Sequence, residues 1–145
     1  MVEVAHRCSC GDPDVVRTAP RLPDGTPFPT TFYLTCPRAA SAVGRLEGAG
    51  VMADMTTELR ADPELAAGHR AAHEAYLAAR DRLGEVPEIA GVSAGGMPDR
   101  VKCLHVLAAH SLAAGPGVNP LGDETVDALG EFWRRPCLTP ERLRS

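Results

Sequence analysis

The sequence predicts an α+β fold, a small N-terminal antiparallel sheet packed on four to five helices. Three observations carry this expectation. The extended, β-branched and aromatic segments all lie before residue 36. Beyond it, prolines suited to first helical turns recur. The 145 residues show no internal repeat or composition shift, so they fit one domain burying ~70% of the unfolded chain's surface.

Residues 2–10 and 14–18 read as short extended segments around a Gly11-Asp12-Pro13 turn. Residues 19–31 hold four prolines and a Pro23-Asp24-Gly25 turn, a stiff loop that cannot be helical. Thr31–Thr35 is the best strand. Pro37 opens a helix to about Ala49, with Gly50 as its stop, and residues 51–60 form a second. Asp62 caps the longest helix, which runs to about Leu83 and is followed by a loop from Gly84 to Gly96. A further helix is expected from Pro98 to about Ala114, and a last one, capped by Asp123, to about Trp133. Residues 134–145 read as a flexible C-terminal tail of the single domain 1–145.

Composition narrows the function classes. Glycine and proline make up almost a fifth of the chain, against an average near 12%, so shaped loops are prominent. A net charge of −4 argues against non-specific affinity for nucleic acid. No apolar run reaches the ~18–20 residues of a membrane span, and the first residues lack a signal-peptide layout. The expected compartment is therefore the cytoplasm, where five cysteines are metal-bound or reduced more readily than paired. Lys102 is the sole lysine among fifteen basic residues, as if its compact charge could not be replaced by a guanidinium.

Two constellations could carry chemistry. A helix from Pro98 would be apolar on nearly every side, hence buried, and its polar members Arg100, Lys102, Cys103, His105 and His110 need partners. On a helical wheel His105 lies about 160° from Cys103, so this helix should supply one metal ligand, Cys103. Cys8 and Cys10 beside the Gly-Asp-Pro turn, with Cys36 at a helix start that favours thiolate, would complete a four-thiolate site for zinc or an iron–sulfur cluster. The bland alternative is that the cysteines fill core space; a reactive Cys36 with a histidine base is another.

The second constellation lies on the long helix. His69 and His73 have i, i+4 spacing but lack the intervening glutamate of a zinc-protease helix. His73 and Arg80, with Arg100, Lys102 and the amides of Gly95-Gly96-Met97-Pro98, could instead bind a small anion. Tyr76, His105 and His110 are proton-transfer candidates there.

Several stretches resemble an uncharacterised bacterial family common in actinobacteria, domain of unknown function 501. They are Arg7-Cys8 with Gly11 and Pro13, residues 25–37, Arg45-Leu46-Glu47, the His73/Tyr76/Arg80 spacing and residues 95–123. The resemblance implies one bacterial cytoplasmic domain and supplies no mechanism. Family members lie near cell-division and exopolyphosphatase genes, which would fit a non-enzymatic accessory protein linked to septum formation. Such a protein would present its Gly/Pro-rich loops and Phe132-Trp133 to a protein partner. Three readings thus stand: a metal or cluster site beside an anion pocket, a partner-binding accessory protein, and a thiol-dependent enzyme.

Overall fold

The computed structural model describes residues 3–8, 11–92 and 101–130. Strands β1 (Glu3–Arg7), β2 (Pro13–Arg17) and β3 (Phe32–Leu34) form an antiparallel sheet in that order. Helices α1 (Pro37–Gly48), α2 (Val51–Ala61), α3 (Pro63–Asp81), α4 (Leu104–Ala114) and α5 (Pro120–Ala128) follow, with one 3₁₀ turn at Pro87–Ile89. The α+β arrangement expected from the sequence is the one observed.

Local chemistry sets the helix starts. Cys36 caps α1, its Sγ accepting from the Ala39 N–H at 3.5 Å, ahead of Pro37. Gly50 adopts φ +84°, a left-handed conformation that reverses the chain between α1 and α2. Asp62 Oδ1 accepts from the Glu64 and Leu65 N–H groups at 3.0 and 3.2 Å and starts α3.

Two starts differ from expectation. The fourth helix begins at Leu104; Val101, Lys102 and Cys103 precede it outside the helix, and Cys103 is itself the cap residue, extended at φ −151° and ψ 115°. The fifth is capped by Asn119, whose side-chain oxygen accepts from the Gly122 N–H at 2.9 Å. Asp123, the expected cap, sits inside the first turn of α5.

Helix α4 is the centre of the molecule. It packs against α1, α5 and all three strands, and Leu104, Val106, Leu107, Ala108, Ala109, His110 and Ser111 are all buried. Each fully buried leucine there contributes about 1.5–3 kcal/mol. At the sheet end of this core Phe32, Tyr76 and His110 pack as a trio, Phe32 stacked on His110 at 5.5 Å and Tyr76 edge-on to both rings at 5.2–5.4 Å. Gly122 lets α5 press directly on α4. A Cβ there would overlap the Leu107 carbonyl oxygen and meet Ser111 Cβ and Asn119 Cγ at 3.0 Å.

The β1–β2 ladder is irregular on both sides of His6. Val4 pairs with Val16, His6 with Val15 and Arg7 with Pro13, which leaves Ala5 unmatched on β1 and Asp14 unmatched on β2. Such bulges turn side chains away from simple alternation. Cys10, Arg100, the Gly95–Pro98 turn, Phe132-Trp133 and the 134–145 tail lie outside the described residues. Among the described residues, no helix is long and apolar enough to cross a membrane.

Candidate metal centre

The extended backbone at Cys103 decides what this site can be. Because Cys103 stands off the helix, the wheel angle that would separate it from His105 does not apply. Cys103 Sγ, a His105 ring nitrogen and a Glu47 carboxylate oxygen all lie within 4.8 Å of one another. Two helices supply the group: Glu47 from the last turn of α1, Cys103 and His105 from the start of α4.

Glu47 is held from two directions. Its Oε2 accepts from the Leu104 N–H at 3.0 Å, which satisfies an otherwise unpaired amide at the start of α4. Its Oε1 lies 3.1 Å from His105 Nδ1. The other ring nitrogen, Nε2, is 3.2 Å from the Ala40 carbonyl oxygen. That carbonyl and the carboxylate can both only accept, so without a metal each ring nitrogen donates, and a bound cation would replace the Nδ1 proton between imidazole and carboxylate. A histidine oriented through its second nitrogen by a backbone carbonyl is the usual setting of a metal-ligating imidazole.

The donor set fits zinc. Thiolate, imidazole and carboxylate are its three protein ligand types, and tetrahedral bonds of ~2.0–2.3 Å put ligand atoms about 3.3–3.8 Å apart. The Glu47–His105 separation of 3.1 Å is already of that order. Side-chain exposures of 35% for His105 and 23% for Glu47 keep the group at the surface, open to solvent.

Glu47 and its place are what sequence reading missed. Arg45-Leu46-Glu47 marked a family stretch, yet only the packing of α1 on α4 brings that carboxylate to Cys103. The other expected ligands lie elsewhere: Cys8 and Cys36 are buried in the hydrophobic core, Cys36 completely. Among the described residues, Cys8, Cys36 and Cys103 do not form a group of convergent donors. All three are thiols rather than disulfides.

The residues of the expected anion pocket have other partners or positions. Arg80 is only 2% exposed, and its guanidinium donates to the carbonyls of Val92 (2.6 Å), Ile89 (2.7 Å) and Pro29 (3.2 Å). It ties α3 to the loops on either side, and it also borders a cleft of about 300 Å³ together with Asp81, Glu85 and Pro87. His73 is half-buried with an unpartnered Nδ1, and burial holds its pKa below the usual histidine value. Lys102 is exposed and adjoins Cys103 in the chain.

Two proton-transfer candidates are core groups. The Tyr76 hydroxyl accepts from the N–H groups of Thr31 (2.7 Å) and Phe32 (3.3 Å), and burial raises its pKa. His110 Nδ1 accepts from Asn119 Nδ2 at 3.1 Å, and burial lowers its pKa to about 4. His105 alone of the three lies in the candidate centre.

No curated protein and no solved structure shows detectable similarity to the chain. A family profile matches residues 4–127, from the first strand to the last helix, and so covers Glu47, Cys103 and His105 together. The chain therefore belongs to the family described as Protein of unknown function (DUF501).

Proposed function

We propose that this protein binds one zinc ion through Glu47, Cys103 and His105, leaving a fourth position for water or a small anionic ligand. The observation that supports it best is the orientation of His105. Its Nε2–H is engaged by the Ala40 carbonyl, while Nδ1 faces a carboxylate oxygen beside a thiol. Three protein ligands with an open position is the pattern of reactive rather than purely structural zinc sites. A zinc-bound water is acidified and an anionic ligand polarised; the exposed ammonium of Lys102, next to Cys103, would add attraction for that anion. This replaces the four-thiolate arrangement with a mixed-donor one and moves the anion-binding role from Arg80 to the metal's open side.

Cobalt(II) substitution tests the reading. Protein stripped of metal and titrated with cobalt should develop the thiolate charge-transfer and d–d bands of a tetrahedral site at about one ion per chain. Cys103→Ser should abolish the charge-transfer band, whereas Cys8→Ser and Cys36→Ser should keep it. No band, or a band unaffected by Cys103→Ser, would overturn the proposal. Loss of the band in Cys8→Ser and Cys36→Ser as well would restore the four-thiolate site.

A further inference from the structure

A second site lies at the other end of α4. An open cleft of about 620 Å³ separates β1 from the C-terminal turn of α4 and the outer face of α5. That volume lies within the range of small-molecule sites. At ~1.5 Å per residue the eleven-residue α4 puts this cleft about 15 Å along the helix from Cys103. The two sites are separate, and evidence for one leaves the other unaffected.

The cleft walls differ in chemistry. Leu112, Ala114, Pro116 and Val126 give an apolar body. Asp123 and Asp127, one helical turn apart on α5, give a doubly acidic wall. Among the described residues neither carboxylate has an ion-pair partner. Asp123 accepts from the Ser111 hydroxyl and from the Gly117 N–H at 2.9 Å, which fixes its direction without neutralising it.

His6 forms the opposite wall, and its setting is built rather than incidental. The irregularities on either side of it bring its ring onto Asp14, a carboxylate that is fully buried. His6 Nδ1 lies 2.8 and 3.0 Å from the two Asp14 oxygens, while the ring keeps 39% of its surface exposed. Nδ1 therefore carries the proton toward Asp14, which leaves Nε2 of the neutral ring to accept a hydrogen from a bound molecule.

We infer that this cleft binds a small organic cation, an alkylammonium with an apolar body. The ammonium would sit against Asp123 and Asp127, the carbon chain against Leu112, Pro116 and Val126, and a second donor group against His6. A bare metal ion does not fit, because these carboxylates and the imidazole do not converge as a ligand set. An anion does not fit either, since three carboxylates and no fixed cation face or back the cleft among the described residues.

Methyl-resolved NMR of the full chain, titrated with hexylamine, hexanol and hexanoate at neutral pH, tests this. Hexylamine should give saturable shifts at the Leu112, Ala114 and Val126 methyls and at the His6 imidazole. Hexanol should bind at least about fivefold more weakly, and hexanoate should leave these signals in place. Asp127 is exposed and outside the Asp123 hydrogen bonds, so Asp127→Asn should fold normally and weaken hexylamine by about fivefold. Ala114→Trp, at another exposed wall position, should fill the cleft and remove the shifts. Equal shifts with all three probes, a preference for hexanoate, or hexylamine shifts indifferent to both variants would overturn the inference.

Discussion

Individual side chains set much of the stability. His110 is enclosed by Phe32 and Tyr76, and Asn119 fixes its proton distribution. The Asn119 oxygen accepts from the Gly122 N–H, so its amide nitrogen must donate to His110 Nδ1, which cannot then take a proton without losing its partner. Its pKa is about 4 in the folded chain and 6.5 as the reference value. Between those values the unfolded chain binds the proton and the folded one does not. Stability is therefore full above the unfolded pKa and falls as pH drops from 6.5 to 4, by up to about 3 kcal/mol. Urea midpoints measured from pH 7.5 downward should show this fall, and His110→Gln should flatten it. Arg80 makes a second residue-scale prediction. Arg80→Ala strips three carbonyls of a charged donor and should cost about 2–4 kcal/mol in chemical denaturation.

The contact between α4 and α5 depends on a missing side chain. Gly122→Ala would force a Cβ into the Leu107 carbonyl, and backbone cannot yield as a flexible side chain would. A loss above about 2 kcal/mol in thermal or urea unfolding is expected, against a small change for Gly44→Ala on the open side of α1. Element starts show what the sequence could disclose. Cys36-Pro37 and Asp62-Pro63 both announced their helices, and both cap as expected. Asn119-Pro120 carries the same signal, its cap residue four positions before Asp123, so that start was readable by the same rule. The start of α4 was not. Val101 and Leu104 continue the apolar pattern across the boundary, and both are buried, so periodicity extends the helix through three residues that are not helical. The error concealed the candidate centre, since a helical Cys103 points away from His105. The pairing of His6 with Asp14 was hidden for another reason: it depends on one unmatched residue in each strand, which no side-chain pattern records.

At the scale of the molecule, one helix joins two candidate sites of opposite character. The α1–α4 end offers thiol, imidazole and carboxylate, with a lysine adjoining in the chain, while the α4–α5 end is acidic and apolar. Zinc that binds only the folded state raises its stability by mass action. At a hundredfold excess over the dissociation constant the gain is about 2.7 kcal/mol, a rise of about 5–10 °C in Tm for a chain of this size. Calorimetry with and without a chelator should show the rise in the wild type and its absence in Cys103→Ser. The thiols Cys8 and Cys36 are buried in the hydrophobic core.

The bare position at 122 also decides which side of the acidic cleft can give way. Where two helices meet backbone on backbone they travel as one piece, so their shared wall keeps its shape whatever enters. Among the described residues the facing strand is fastened to its sheet along one margin only, and it carries the imidazole. Were the proposed cation bound there, adjustment around it would fall to this margin, a compliant jaw against a stationary one.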